Sequence, residues 1–406
     1  MSSISASPVP SASPTPAPIT PAVAAGLLSA FVGFASSFAV ILQGLIAVGA
    51  SQAQAASGLM ALSIAMGLCA IILSLKTRMP ISIAWSTPGG ALLAASAGHE
   101  IAGGFAGAVG AFILCGLLLT LAGLWKPLGR AVAAIPPALA NAMLAGILLG
   151  LCLAPVKAVA ALPVAGLSIL IVWALVAKWK RLWAMPAAVL VTFGFILAGG
   201  ELQGLALGAL WPQPVPVLPV FSPGALLGIA LPLFIVTMAS QNIPGIAVLQ
   251  ANGYRPDPAP LFRTTGIFSL LGAPFGGHAV NLAAITAAIC AGPEAHPDPA
   301  RRWIAAVVAG LGYIVFGLLA GAATAVFSAA PPVLIQAVAG LALLGAFANA
   351  LVTALSDPQS REAAAITFIV AASGLTLFGI GGAFWGLIAG GAILALTRWT
   401  GFKRGT

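Results

Sequence analysis

The chain carries very little charge. Only 6% of its 406 residues are Asp, Glu, Lys or Arg, and only seven of them are acidic. Soluble domains contain about 25% charged residues, so this composition excludes a soluble globular fold. The hydrophobic content of 61% and the mean hydropathy of +1.11 indicate a protein that lies in a lipid bilayer. All seven acids fall in predicted loops or at helix ends: Glu100, Glu201, Asp257, Glu294, Asp298, Asp357 and Glu362.

Cysteine and the usual catalytic motifs are also scarce. The four cysteines lie in apolar runs without CxxC spacing, which excludes a disulfide framework and a zinc site. The sequence contains no Walker loop, GxSxG or HExxH motif, so ATP-driven transport and intramembrane proteolysis lack their minimum residues. We therefore expect no enzymatic activity, no metal and no cofactor.

Long apolar runs are abundant and suit helices of about 20 residues rather than the ten-residue strands of a barrel. Residues 1–21 lack a basic segment and an apolar run, so they are predicted to be a disordered tail. The remainder predicts an all-α polytopic membrane protein with fourteen transmembrane segments, near 25–48, 54–75, 81–97, 102–124, 133–153, 162–177, 183–200, 223–250, 261–275, 276–291, 303–326, 331–354, 363–379 and 382–397.

The basic residues predict the orientation of these spans. Counted from a cytoplasmic N-terminus, fifteen of the sixteen basic residues lie on one side, and only Lys157 lies opposite. Cytoplasmic loops carry an excess of Lys and Arg, so we expect both termini to be cytoplasmic in an inner membrane. The net charge of +9 is thus a topology signal and indicates no nucleic-acid partner.

Two segments suggest an internal repeat. PPALANAMLAGILLG at 136–150 and PPVLIQAVAGLALLG at 331–345 share seven of fifteen positions at an offset of 195. They fall in predicted spans 5 and 12, whose directions are opposed, which favours two inverted seven-span repeats.

The same offset pairs spans 3 and 10, at 81–97 and 276–291. Both are short and carry Gly or Pro, which predicts broken spans: a short extended segment followed by a half-helix. Ser86 and Thr87 before Pro88 predict an N-cap followed by proline at the first helical position, and Asn281 is the matching N-cap candidate.

Two half-helices that begin at mid-membrane direct their positive ends into one space, where an anion fits. Ser86, Thr87 and Asn281 could bind a carboxylate there, and Trp85 could line the apolar part of the cavity.

A second polar cluster, Ser240, Gln241 and Asn242, lies in span 8. It is interpreted either as a wall of the binding site or as interhelical hydrogen bonding. His278, in span 10, is interpreted either as a proton carrier or as a neutral side chain that holds the extended segment in place. Glu100, at the outer mouth, and the substrate's own carboxyl are the alternative proton carriers.

Three motifs resemble a known family. TMASQNIPGIAVLQANGY (237–254), GAPFGGHAVNLAAITAAICAGPEAHPDPARRW (272–303) and AWSTPGGALL (84–93), which contains Gly89, resemble the BenE family of bacterial benzoate/proton symporters. That family is similar in architecture to the uracil permease and anion-exchanger group. The resemblance implies that substrate, a small aromatic carboxylate, binds between spans 3 and 10 beside span 8.

The resemblance also implies a division into two domains that move against each other like an elevator, and a homodimer mediated by the gate. A core domain would comprise 22–130 and 204–326, and a gate domain 131–203 and 327–398, followed by a cytoplasmic tail at 399–406. Nucleobase permeases carry glutamates in spans 8 and 10, whereas this chain has Gln241, Asn242 and Asn281 there, which suits an anion.

The expected function is import of benzoate or a related aromatic carboxylate with a proton, as a secondary active transporter in the bacterial inner membrane. The alternatives are an uncoupled anion channel or facilitator, and a symporter for another small organic acid.

Overall fold

The structure, a computed structural model, describes residues 18–97, 101–199, 211–378 and 380–404. Within these ranges eight helical stretches are long and apolar enough to cross a membrane, and three shorter apolar helices accompany them. Helices suit this environment because they satisfy their own backbone hydrogen bonds where lipid offers none. The predicted tail at 1–21 lies almost entirely outside the described residues, which begin at Pro18. The first helix begins at Thr20.

The first half of the chain contains ten helices and one strand. They are α1 (Thr20–Ala35), α2 (Phe38–Ala47), α3 (Gln52–Thr77), β1 (Ile83–Trp85), α4 (Thr87–Ala95), α5 (Gly104–Leu124), α6 (Lys126–Ala133), α7 (Pro137–Cys152), α8 (Ala154–Ala161), α9 (Pro163–Trp179) and α10 (Ala184–Ala198).

The second half contains ten further helices and three strands. They are α11 (Pro223–Ala225), α12 (Leu231–Thr237), α13 (Ile243–Ala251), α14 (Pro258–Gly272), β2 (Val280–Leu282), α15 (Ile285–Ala291), α16 (Trp303–Leu318), α17 (Ala320–Ala329), α18 (Pro332–Leu355), α19 (Arg361–Ala372), β3 (Thr376–Leu377), β4 (Ile380–Gly381) and α20 (Gly382–Arg404). Short π-helical turns at Leu226–Ala230 and Met238–Asn242 join α11, α12 and α13 into one long stretch.

The helices pack in two groups. In one group α3 packs on α14 and α16, α5 on α14, and α1 on α16. In the other, α7 packs on α18 and α19, α19 on α20, and α9 on α10. Helices α4 and α7 are in contact, so α4 lies where the two groups meet.

Strands β1 and β2 meet within the first group, against α3 and α14, and the place where they pair is called the crossing of β1 and β2. They pair antiparallel, with Ile83 opposite Leu282, Ala84 opposite Asn281 and Trp85 opposite Val280. Two further bonds extend the ladder, from Ser86 N–H to the Ala279 carbonyl and from Ala283 N–H to the Ser82 carbonyl, each 2.9 Å. Each segment thereby satisfies the backbone of the other, which unpaired extended chain in lipid could not do. An extended segment followed by a short helix is therefore present in both predicted broken spans.

The repeated Pro-Pro motif marks equivalent helix starts. Pro136 precedes α7 with φ −57° and ψ 124°, and Pro331 precedes α18 with φ −54° and ψ 124°. In both places the second proline is the first helical residue, where its missing N–H costs no helical hydrogen bond. The sequence similarity at 136–150 and 331–345 thus corresponds to the same local backbone.

Some predicted spans differ from the structure. The first, 25–48, is interrupted between α1 and α2, because Ser37 leaves the helical region at φ −146°. The span predicted at 363–379 ends as α19 at Ala372 and continues into the β3–β4 hairpin. Gly374, with φ +71°, ends the helix there, because glycine adopts this backbone conformation without strain.

Candidate functional site

The site predicted from the sequence lies at the crossing of β1 and β2. Because the strands are antiparallel, α4 continues from one end of the ladder and α15 from the other. The N-termini of both helices therefore start near the ladder and the helices run in opposite directions. The positive end of α4 is buried within the helix bundle, since its N-cap residue Ser86 is fully buried.

Ser86 caps α4. Its side-chain oxygen accepts the Gly89 N–H at 3.1 Å, with Thr87 as the first helical residue and Pro88 as the second. The same oxygen accepts a hydrogen bond from the Thr237 hydroxyl at 2.9 Å, and both side chains are fully buried. The N-cap prediction for Ser86 agrees with this geometry, whereas proline lies one position later than predicted. The hydrogen bonds of the Ser86 oxygen thus join α4 to α12.

Gly89 allows the close packing of α4 on α12. A Cβ atom built at this position would clash with the side chain of Leu233 and lie 2.8 Å from the Ser86 oxygen. The glycine is therefore required by the space available and has no side chain of its own to offer a ligand. Its role in the site is to bring Ser86 and the α4 backbone up to α12.

Trp85 is enclosed rather than exposed on a cavity wall. Its side chain is 2% exposed, and its indole N–H donates to the Ser37 hydroxyl at 2.8 Å. Its ring packs against Phe34 at a centroid distance of 5.4 Å, and Phe34 stacks on Phe38 and on Phe316. Burying an indole N–H requires such a partner. The aromatic cluster locks β1 onto α1, α2 and α16.

Asn242 braces the second strand. Its side-chain oxygen accepts the Leu282 N–H at 2.9 Å, and its amide group contacts the Met238 sulfur at 3.2 Å. The amide is fully buried and closes the free edge of β2 with a hydrogen bond that no third strand supplies. Of the two interpretations given to this residue, the geometry agrees with interhelical hydrogen bonding.

The prediction that Asn281 caps the second half-helix is wrong. Asn281 lies in β2, and α15 begins four residues later at Ile285, with Ala284 in the N-cap position and no side-chain cap. The reason is the strand pairing, which keeps 280–282 extended. The Asn281 amide donates to the Leu282 carbonyl at 2.9 Å, while its oxygen is buried without a hydrogen-bond partner among the described residues.

His278 is fully buried just before β2. Its Nδ1 accepts the Ala279 N–H at 2.6 Å, and its ring meets Phe112 of α5 edge-on at 6.1 Å. An accepting Nδ1 places the proton of the neutral ring on Nε2, which has no hydrogen-bond partner within the part of the chain that the structure describes. The geometry thus fits a side chain that holds the extended segment.

Three predicted residues keep partial exposure near the crossing: Thr87, Ser240 and Gln241. Ser240 donates to the Val236 carbonyl at 2.6 Å. Ser240 and Gln241 lie in the π-helical turn Met238–Asn242, just before Asn242, which bonds β2. Wide turns of this kind occur often at functional sites. Glu100, the alternative proton carrier, lies outside the described residues.

Two cavities flank the C-terminal half of α4. One, of about 350 Å³, is lined by residues that include Leu92, Ser96, Ile147, Ser222, Ala371 and Phe378. The other, of about 400 Å³, is lined by residues that include Gln43, Ile46, Ala97, Phe327, Ile335 and Gln336. Neither cavity includes a predicted site residue. Both lie between the two groups of helices.

Sequence reasoning missed two hydroxyl partners at the site, Thr237 and Ser37. Thr237 lies one helical turn before Gln241, on the same helix face, and that spacing is a signal that could have identified it. Ser37 donates to the Gly33 carbonyl of the preceding turn at 3.1 Å, and its contact with Trp85 depends on the tertiary fold, so no local pattern identifies it.

The fold defined by these elements is that of a polytopic, mostly helical membrane protein. It resembles the transmembrane domain of the cyanobacterial bicarbonate transporter BicA, with a TM-score of 0.58 and 16% identity, covering 91% of this chain and 97% of that one. It also resembles SLC26A9, with a TM-score of 0.63 and 13% identity, covering 94% of this chain and 66% of that one.

The chain belongs to the BenE family, whose description is benzoate membrane transport protein and whose model matches residues 17–396. It is 43% identical to the inner membrane protein YdcO of Escherichia coli strain K12, over 91% of this chain and 94% of that protein. It is 32% identical to the benzoate membrane transport protein of Acinetobacter baylyi, over 91% of this chain and 93% of that protein. The apolar helices and these relatives together indicate that the chain is a multi-pass inner membrane protein.

Proposed function

We propose that this protein imports benzoate or a related aromatic carboxylate together with a proton. The observation that carries the proposal is the pairing of β1 and β2, because the positive end of α4, with the half-buried Thr87, follows β1 while the half-buried Ser240 and Gln241 lie in the π-helical turn that contacts β2. A helix N-terminus attracts an anion without a fixed basic residue. Membership of a benzoate transport family supports the choice of substrate.

The binding residues proposed for this anion are Thr87, Ser240 and Gln241. Ser86, Gly89 and Trp85 support them by fixing β1 and α4, and Asn242 does the same for β2. Asn281 adds a buried acceptor without a partner among the described residues, which suits a water molecule or a protonated carboxyl group. His278 and Glu100 remain the proposed protein groups for the proton.

The proposed motion is alternating access of a core domain (22–130 and 204–326) against a gate domain (131–203 and 327–398). The two groups of packed helices support this division, since α3, α5, α14 and α16 belong to the first domain and α7, α18, α19 and α20 to the second. The two cavities beside α4 lie along the boundary and suit a sliding surface. Fourteen spans in inverted repeats, cytoplasmic termini and a gate-mediated homodimer belong to the same proposal.

Uptake into proteoliposomes tests the function. Labelled benzoate is offered under an inward proton gradient with the membrane potential clamped at zero, and protein-free vesicles measure the passive entry of benzoic acid. Symport predicts saturable uptake above the passive rate, which an uncoupler abolishes. Failure to exceed protein-free vesicles over a wide range of benzoate concentrations would refute the proposal.

The same vesicles distinguish the symporter from an anion channel. A channel moves benzoate in response to an inside-positive potential at equal pH on both sides, whereas an electroneutral symporter does not respond. Competition by unlabelled aromatic and aliphatic acids then ranks substrates. If an aliphatic acid competes better than benzoate, another small organic acid is the substrate.

A further inference from the structure

A buried arginine lies at the far end of the second half-helix. Arg302 is 7% exposed, although it belongs to the loop between α15 and α16. Its Nη1 donates to the carbonyl of Ala291, the last residue of α15, at 2.9 Å, and its Nε donates to the His296 carbonyl at 2.7 Å. Both acceptors are backbone carbonyls, so the guanidinium forms hydrogen bonds with the protein backbone.

The acceptor at Ala291 has a particular chemical character. The last four carbonyls of a helix have no partner within it, and together they carry about half a negative charge. Arginine side chains can bond these carbonyls and stabilise that end of the helix. A buried charge is costly without compensation, and here the end of α15 supplies part of it. Arg302 and α15 therefore stabilise each other.

Helix α15 needs such an anchor. It has only seven residues and no side-chain N-cap. Isolated helices of this length are unstable, so its position depends on tertiary contacts. At its first turn the Thr286 hydroxyl is 2.9 Å from the Ser82 hydroxyl, which ties it to the segment before β1. Arg302 provides the corresponding attachment at its last residue.

The loop that presents Arg302 is itself fixed to the neighbouring helices. Tyr254, after α13, donates to the Pro299 carbonyl at 2.9 Å. Trp303, the first residue of α16, lies under the guanidinium of Arg78 at 4.5 Å. Asp298 caps the short 3₁₀ turn that leads to Arg302 through the Ala300 N–H at 2.9 Å. Residues that follow α3 and α13 thus contact the start of α16 and the loop before it.

We propose that Arg302 is a positioning residue that holds α15, and with it β2, in the geometry needed to bind substrate. This inference rests on the proposed function, because it takes the substrate to bind at the crossing of β1 and β2. Arg302 does not contact that crossing and acts through the half-helix. It sets substrate affinity by limiting the movement of α15.

The adjacent Arg301 offers a matched control. Its side chain is 40% exposed and lies 3.7 Å from Asp298 at the surface. Arg302→Gln and Arg301→Gln remove the same charge from neighbouring positions, one buried and the other 40% exposed. Arg302→Lys keeps the charge but cannot reproduce both hydrogen bonds, and it should give an intermediate result.

The first measurement is hydrogen–deuterium exchange of residues 285–291 in the purified proteins without substrate. Hydrogen bonds to charged groups stabilise by about 1.5–3 kcal/mol, so exchange of this segment should accelerate about tenfold or more in Arg302→Gln. It should stay within about twofold in Arg301→Gln, because the side chain of Arg301 is 40% exposed and its ion pair with Asp298 lies at the surface. Equal exchange in the two variants would overturn the anchor, and so would acceleration spread equally over α3 and α16.

The second measurement is the benzoate dissociation constant of the same proteins, which should rise about tenfold in Arg302→Gln and partly recover in Arg302→Lys. Faster exchange with an unchanged dissociation constant would overturn the link between α15 and affinity. If the unsubstituted protein binds no benzoate, the proposed function fails, and the exchange measurement still decides the anchor. The two failures are thus distinguishable.

Discussion

Ser86 joins α4 to α12, and its replacement by alanine should be costly. Its oxygen accepts hydrogen bonds from the Gly89 N–H at 3.1 Å and from the Thr237 hydroxyl at 2.9 Å. Loss of a serine N-cap costs about 0.5–2 kcal/mol. A buried hydroxyl left without an acceptor adds about 1–3 kcal/mol. We therefore expect Ser86→Ala to lower the free energy of unfolding by about 2–4 kcal/mol.

Thr237→Val separates the two contributions. Alone it should cost about 1 kcal/mol, because Ser86 retains the Gly89 N–H. In the Thr237→Val background no orphaned hydroxyl remains, so Ser86→Ala should cost only the cap, about 1 kcal/mol. The difference between backgrounds is a coupling of about 1–3 kcal/mol, which a double-mutant cycle isolates.

The cycle can be measured by SDS-induced unfolding in mixed micelles, followed by tryptophan fluorescence. Ser168→Ala is the control, since this partly exposed serine donates to the Val164 carbonyl of its own helix at 2.7 Å and should change stability by less than about 0.5 kcal/mol. The reasoning is refuted if Ser86→Ala costs the same in both backgrounds, or no more than Ser168→Ala.

Three further substitutions test the site. Gly89→Ala should destabilise by about 1–3 kcal/mol, because its Cβ would clash with Leu233, whereas Gly150→Ala, which meets open space in α7, should not destabilise in the same unfolding assay. His278→Gln should weaken the pH dependence of benzoate uptake more than benzoate affinity, and an unchanged pH profile would assign the proton to another group. Asn281→Asp should abolish benzoate binding in a thermal-shift titration by placing like charge at the site, and unchanged affinity would argue against an anion site there.

The tail allows a simpler test. Removal of residues 1–17 should leave benzoate uptake unchanged, because this sequence has neither a basic segment nor an apolar run. Uptake by the shortened protein in proteoliposomes measures this, and a loss of uptake at equal reconstitution would contradict it.

Much of the helical architecture follows from the sequence because lipid permits few alternatives. Apolar runs predict helices, and Pro-Pro at 136 and 331 predicts where α7 and α18 begin. The broken spans were predictable because glycine and proline interrupt short apolar runs there. Composition and local propensity decide each of these features, so they can be predicted from a single sequence.

The site was less predictable because its geometry comes from tertiary contacts. Asn281 has the propensity of an N-cap, but pairing with β1 keeps it extended and moves the start of α15 to Ile285. From the sequence alone Asn242 could be a ligand-binding amide, and only the tertiary structure shows that it accepts a hydrogen bond from the edge of β2. The importance of Arg302 was hidden in the same way, since no local pattern links it to the end of α15.

The β1–β2 ladder also constrains how the protein is made. Ser82 and Thr286, at one flank of the ladder, are 204 residues apart. At synthesis rates of about 5–20 residues per second, the second strand follows the first by roughly 10–40 s. Through this interval β1 has peptide groups that lipid cannot satisfy. The first broken span must therefore wait in a hydrated or protein-lined environment during biogenesis, and the transporter can complete its insertion only after most of the chain has been translated.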